Sequence, residues 1–506
     1  MNPNIPKRPK RQVNGAIDGE NTLPLAAARA PSSTGVIDNH ETGENEAGEA
    51  IEDQETARVE AIEQQQSELP THLPVEAPPS RITIPRGKAL IGIFLLAIVV
   101  FSALNAGYAQ FIGSQGWALV LGGSSNANNS NPLDKVKQQL HHSPTPGVSA
   151  TTTPITPAQY IDAIIQNMTL DQKLGQMMIV QFYGSSYLPD ISTMINQYNV
   201  GAVLLFTANN NIINKTQLTG LISQMQHDST HNGIPLGIAI DQEGGYVDRL
   251  VNLDGPRPSA TSLGATNNPS KAQAEGVLDA SNLTSYGFNL NLAPVVDVNT
   301  VYNPQLYGRT FGNNPDIVTR MAEAYLQGLQ KSGKVFGTLK HFPGLGDVAT
   351  DPHIGVADVY RSKSQLESID WSPYRAMIQQ GNVHSIMVTH DILHAIDASA
   401  PATLSYRVVT GILRDELGFQ GVIITDSLTM EGITALYSES QAAAQAVEAG
   451  DDLLMGASTP QILASMIQGI KQAISSGAIS MQRIDASVRR ILTMKYELGL
   501  LTLPNN

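Results

Sequence analysis

From Pro157 onward the sequence alternates short, β-branched apolar runs with amphipathic stretches of helical period, and that alternation is the signature of an α/β domain. Eight runs have strand character: Met177–Gln181, Ala202–Phe206, Leu236–Ile240, Leu290–Pro294, Val335–Lys340, Ser385–Thr389, Gly421–Thr425 and Asp452–Met455. Helical stretches fall between most of them, among them 270–285, 315–332 and 460–475. Eight strand-and-helix units predict a (β/α)₈ TIM-type barrel with enlarged loops. The other α/β arrangement, a doubly wound open sheet, calls for a Gly-rich phosphate turn after its first strand, and Phe182-Tyr-Gly-Ser-Ser186 is a poor match to one.

The residues before the barrel divide into three. A tail over 1–88 opens with Lys7, Arg8, Lys10 and Arg11, then runs acidic from Asp38 to Glu68 with little apolar content. Such a segment buries too little surface to offset its ordering entropy and is expected to be disordered. Residues 89–109 carry no charge and have the length a helix needs to cross a hydrocarbon core of about 30 Å. A buried core helix of that length would show polar residues at helical spacing, and a cleaved signal peptide would not lie so far from the N-terminus. Arg81, Arg86 and Lys88 precede this run and no charge follows it until Asp134, so the positive-inside rule predicts a single-pass membrane protein with a cytoplasmic N-terminus and everything after residue 110 outside. Residues 110–156, rich in Gly, Ser, Asn, Thr and Pro, read as an extracellular linker to a catalytic barrel over 157–506.

Composition removes whole classes of function. The chain has no cysteine, which excludes disulfide scaffolds, thiolate metal sites and cysteine nucleophiles. Its 31 Lys and Arg against 45 Asp and Glu leave a net charge of −14, the wrong sign for gripping nucleic acid.

The residues suited to chemistry stand where the predicted strands end: Asp241, Asp297, Lys340 with His341, His390 with Asp391, and Asp426. In a barrel these converge on one rim. A single strand-end carboxylate is as readily a helix cap, but charged groups at the ends of five strands match the way a polyhydroxylated ligand such as a sugar is held. The stretch Lys340-His-Phe-Pro-Gly-Leu-Gly-Asp-Val-Ala-Thr-Asp-Pro-His353 holds two glycines and two prolines, which rule out a regular helix or strand through the loop. Asp351 and His353 flank Pro352 and, in an extended segment, project to one side. A carboxylate beside an imidazole fixes a tautomer and tunes a general acid/base, and the same spacing also serves in a surface turn.

Lys340-His-Phe-Pro-Gly-Leu-Gly-Asp347 with Asp351-Pro-His353, Ile240-Asp-Gln-Glu-Gly-Gly245 with Arg249, Gly308-Arg-Thr-Phe311, and Ile424-Thr-Asp-Ser-Leu-Thr-Met-Glu-Gly432 together resemble the β-N-acetylglucosaminidase branch of glycoside hydrolase family 3. The likeness covers about 157–500. It implies a (β/α)₈ barrel and a retaining double displacement, with Asp426 as nucleophile, His353 as acid/base and Asp351 as its partner. It further implies that Asp241, Arg249, Arg309, Lys340 and His341 hold a terminal N-acetylglucosamine, and that no metal or organic cofactor is needed. Leu345, Pro352 and Tyr246 depart from the family's usual histidine, serine and arginine, and none of the three removes a catalytic group.

Three other readings compete. A β-glucosidase or β-xylosidase of the same family commonly takes its acid/base from a domain after the barrel, and little chain follows the last predicted strand; phosphorolysis in place of hydrolysis is a variant of the same site. A tethered, non-catalytic peptidoglycan-binding module has no need of Asp426, Asp351 and His353 together. A metal-dependent hydrolase drawing on His341, His353, Asp351, His390 and His394 lacks any His-x-His or His-Glu-x-x-His spacing.

Overall fold

The computed structural model describes residues 131–141, 155–348 and 355–504. The acidic tail and the apolar run 89–109 lie outside the described residues, as do Asp351 and His353. No helix among the described residues is long and apolar enough to cross a membrane.

Eight parallel strands close into a barrel: β1 (Met178–Val180), β2 (Ala202–Leu204), β3 (Gly237–Ile240), β4 (Leu290–Asn291), β5 (Phe336–Phe342), β6 (Ser385–Val388), β7 (Val422–Ser427) and β8 (Leu453–Met455). Each pairs with its neighbours in sequence, and Met178 opposite Leu454 closes the ring. All eight coincide with the predicted runs. Strands walled by helices on one side and by barrel-core side chains on the other are buried on both faces, so they read as unbroken apolar runs; Ile238, Ala239 and Ile240 have no exposed surface.

The surrounding helices are bounded by their own punctuation. Asn268 before Pro269 and Thr459 before Pro460 accept hydrogen bonds from first-turn amides, and left-handed Gly287 and Gly477 end the same two helices, Pro269–Tyr286 and Pro460–Ser476. Helix Pro269–Tyr286 packs on helix Pro315–Gln330 through a glycine on each: a Cβ on Gly276 would lie 2.1 Å from the Tyr325 carbonyl oxygen, and one on Gly328 2.1 Å from that of Gln273. Within the stretch expected to be linker, Pro132–His141 forms a helix whose Val136 is fully buried and whose Gln139 bonds Asn167 of helix Pro157–Asn167. Leu133 and Val136, three apart, give that short segment an apolar edge against the barrel's outer helices.

The barrel is irregular at two places, both at its rim. Register between β5 and β6 shifts between Leu339 and Phe342, and register between β7 and β8 shifts between Ile424 and Ser427. The residues inside the two shifts are Lys340 with His341 and Thr425 with Asp426. A local slip of this kind re-aims side chains at a barrel rim.

Candidate active site

The C-terminal ends of the strands surround a cavity of about 400 Å³. Asp241, Arg249, Arg309, Lys340, His341 and Asp426, six of the eight residues singled out by sequence, line it. Asp351 and His353 belong to the segment outside the described residues.

The cavity is built around a chain of ion pairs. Lys340 Nζ sits 2.6 Å from Asp241 Oδ1 and 2.6 Å from Glu243 Oε1. Glu243 in turn takes two hydrogen bonds from Arg309, Nε to Oε2 at 2.7 Å and Nη2 to Oε1 at 2.8 Å. Burial opposes ionisation of Glu243, but the Lys340 and Arg309 charges and their hydrogen bonds outweigh it and hold the carboxyl far below the usual carboxylate range. Burial likewise disfavours the Lys340 ammonium, and Asp241 with Glu243 overcomes that and raises its pKa. Arg309 is further fixed by donating to the Gln305 carbonyl oxygen at 3.0 Å. Charges paired this closely keep one geometry before any ligand arrives.

Glu243 is the residue that sequence reasoning passed over. It stands in the Asp241-Gln-Glu motif, and its signal was its place two residues beyond a strand-end carboxylate. Its neighbour Gln242 shapes the loop: the Gln242 amide N–H donates to Asn291 Oδ1 at 2.9 Å, its side-chain nitrogen to Asp248 Oδ1 at 2.8 Å, and its side-chain oxygen accepts from Leu250 N at 3.2 Å. That folds Gln242–Gly244 back against Val247–Asp248 as a small hairpin and delivers Arg249 to the cavity, where its guanidinium lies 5.6 Å from the centre of the Phe206 ring.

On the far wall, Asp297 is fully buried and supports His341 from behind, with Nδ1 2.8 Å from Asp297 Oδ2; the other Asp297 oxygen accepts from Leu345 N at 2.8 Å. Asp297 therefore serves as a positioning group beneath the rim. His390 and Asp391 do not line the cavity either. His390 is buried between Thr403 Oγ1 at 2.8 Å and the Ser427 carbonyl oxygen at 2.9 Å, and burial pushes the Asp391 carboxyl well above its ordinary range. Asp426 accepts from the amide of Ser427 at 2.7 Å, which orients the carboxylate at the end of β7.

Four buried donors on the cavity wall have no hydrogen-bond partner among the described residues: Asn209 Nδ2, Arg249 Nε, Gln305 Nε2 and Thr389 Oγ1. Each carries a desolvation cost of about 1–3 kcal/mol until something bonds it. Their concentration at one cavity, opposite carboxylates, describes a ligand with many oxygens. Sequence alone gave no signal for Asn209 or Gln305, since both sit in loops whose course the fold sets.

Residues 169–494, more than half of the chain, match the family model described as the glycosyl hydrolase family 3 N-terminal domain. The chain belongs to glycoside hydrolase family 3. Among relatives of this glycoside hydrolase, β-hexosaminidase A of Pseudoalteromonas piscicida is 31% identical over 378 residues, covering 65% of this chain and 62% of the relative. The chain thus spans less than two thirds of that relative. β-Hexosaminidase LpqI of Mycobacterium tuberculosis is 30% identical over 374 residues, covering 70% of this chain and 92% of its own length. Among solved structures, a glycoside hydrolase family 3 β-N-acetylglucosaminidase from Paenibacillus sp. FPU-7 superposes with a TM-score of 0.62 at 34% identity, over 67% of this chain and 65% of that one.

Proposed function

We propose that this glycoside hydrolase is a membrane-anchored, retaining exo-β-N-acetylglucosaminidase that removes terminal β-linked N-acetylglucosamine from cell-wall fragments or chitooligosaccharides. The observation that carries the reading is the convergence of Asp241, Arg249, Arg309, Lys340, His341 and Asp426 on one cavity with unsatisfied donors in its wall. The β-hexosaminidase names of the relatives support the choice of sugar. Asp241 takes outer hydroxyls of the terminal sugar, and Arg249, Arg309, Lys340 and His341 hold the rest of the ring. In the first step a carboxylate oxygen of Asp426 bonds the anomeric carbon while the glycosidic bond breaks and His353 protonates the departing oxygen. In the second, water attacks the same carbon, His353 takes its proton and the Asp426 ester bond breaks. Asp351 and His353 are assigned from the motif. The apolar run 89–109, preceded by Arg81, Arg86 and Lys88, is assigned as the anchor, with the barrel outside the cell.

The full chain should release the chromophore from 4-nitrophenyl N-acetyl-β-glucosaminide in preference to the matching glucoside. Asp426→Ala and His353→Ala should suppress that release, chelator should leave it unchanged, and added phosphate should leave free N-acetylglucosamine as the product. A folded protein inactive on both substrates, with and without phosphate, would sink the hydrolase reading and favour the tethered binder. Removal of residues 89–109 should shift the protein out of the membrane fraction.

A further inference from the structure

Six tyrosines among the described residues are strongly exposed, Tyr183, Tyr246, Tyr302, Tyr307, Tyr360 and Tyr406, and each lies in a segment that leaves the C-terminal end of a barrel strand. Strongly exposed tyrosine among the described residues is therefore confined to the segments that carry the cavity. Two of the six form a pair: the rings of Tyr246 and Tyr307 lie 5.3 Å apart, tilted by 53°, with 72% and 57% of the two residues exposed. An exposed aromatic pair next to a binding cavity offers an apolar surface that a ligand can cover.

The pair is mounted at the cavity's edge. Tyr246 caps the turn of the hairpin that holds Glu243, and the next residue, Val247, lines the cavity. Tyr307 stands between Gln305 and Arg309, which both line it. The double hydrogen bond from Arg309 to Glu243 clamps the two segments together. Gly308, at φ +73°, lets the Tyr246 ring lie directly on the main chain, where a Cβ would come within 2.8 Å of the ring. The two rings are thus fixed to the groups that hold the sugar, and a glycine keeps the space between them.

We propose that Tyr246 and Tyr307 form a stacking platform for the second sugar of a neutral β-linked oligosaccharide, so that an oligomer is preferred over a glycoside with a small aglycone. The proposal rests on the reading of the cavity as an exo-β-N-acetylglucosaminidase site. An exo-acting cavity encloses the terminal ring and leaves the next one at its mouth, and the C–H face of a pyranose packs against an aromatic face as an apolar surface does. Two uncharged side chains favour an uncharged sugar.

The test compares hydrolysis of methyl N-acetyl-β-glucosaminide and of N,N′,N″-triacetylchitotriose by the full chain, by Tyr246→Ala and Tyr307→Ala, and by Tyr→Phe at each position. Each alanine variant should lose about tenfold in kcat/KM on the trisaccharide, which is about 1.4 kcal/mol, and less than about twofold on the methyl glycoside, which has no second sugar to stack. The phenylalanine variants should keep the trisaccharide rate. Equal losses on the two substrates, or no loss on the trisaccharide, overturn the platform. A parent chain that hydrolyses neither glycoside overturns the reading of the site and the platform with it, an outcome distinct from an active parent whose tyrosine variants show no selectivity.

Discussion

Buried charge gathers at both ends of this barrel, with different consequences. At the C-terminal end Lys340 and Arg309 share Glu243, and Lys340 also pairs with Asp241. At the N-terminal end Asp452, just before β8 and with no exposed surface, is met by Arg414, Arg483 and Arg490, by Ser487 Oγ at 2.5 Å and by the Ile423 amide at 3.0 Å. Composition and burial are alike in the two. The Asp452 carboxylate is enclosed by its own partners, the neighbouring Asp451 is buried with both carboxyl oxygens lacking a hydrogen-bond partner among the described residues, and none of these residues lines the cavity. In the upper one the same kind of network borders a cavity whose wall still carries unsatisfied donors. Neither a buried ion network nor an unsatisfied buried group is thus a mark of a site by itself; what distinguishes one is unsatisfied donors lining a space that a ligand can enter.

The sharpest way to break this comparison is to delete one acid at each end. Asp426→Ala should lower kcat by on the order of 10⁴-fold or more with little change in unfolding midpoint, since it removes the proposed nucleophile and leaves the Lys340–Glu243–Arg309 pairs in place. Asp452→Ala should cost about 3–5 kcal/mol of stability in denaturant titrations, because three arginines lose their buried partner, and should leave kcat per folded molecule unchanged. If Asp452→Ala impaired turnover of a still-folded enzyme, or Asp426→Ala unfolded the chain, the division of labour between the two ends would be wrong.

A subtler change sharpens the upper cluster alone. Glu243→Gln keeps shape and one acceptor but loses the charge between Lys340 and Arg309, and freeing those two groups should reduce kcat/KM by about 10–100-fold, the scale expected when binding groups shift by about 1 Å. Steady-state kinetics checks this, and an unchanged kcat/KM would reduce Glu243 to a packing role.

The smallest expected effect lies at the lower end. Lys495 is fully buried with Gln176 Oε1 at 2.7 Å, and burial pushes its ammonium down to about 7. A cation whose folded pKa is depressed adds stability cost as pH falls from its unfolded value near 10.5 through about 7. The parent chain should therefore lose stability across that window relative to Lys495→Met, which should gain about 1–3 kcal/mol at neutral pH with unaltered kinetics. Melting curves at pH 7 and 10 decide it: a Met variant that is no more stable at pH 7 would mean the amine is better accommodated than its surroundings indicate.

Much of this molecule was legible in the chain. Strands buried on both faces leave unbroken apolar runs, and Asn or Thr before Pro with Gly at the far end mark two of the helices, so the eightfold pattern needed no structure to be read. The strand-end positions of Asp241, Lys340, His341 and Asp426 followed from that pattern. The segment Pro132–His141 was harder, because its apolar edge is only Leu133 and Val136 and its order comes from packing against Asn167 and its neighbours.

The sequence by itself determined the barrel and the set of reactive groups on its rim, because periodicity and local chemistry are properties of neighbouring residues. Only the tertiary structure decided which of them share the cavity. Asp297, His390 and Asp391 stand at strand ends as Asp241 and Asp426 do, yet one supports His341 from beneath and the others are buried away from the cavity. Glu243 and Arg309, 66 residues apart, meet at hydrogen-bonding distance. The two register shifts that aim Lys340, His341 and Asp426 arise from pairing with β6 and β8, the next strands of the barrel, each reached only after an intervening helical segment. Side-chain direction at a rim depends on the partner strand, and a partner is fixed only when the barrel closes.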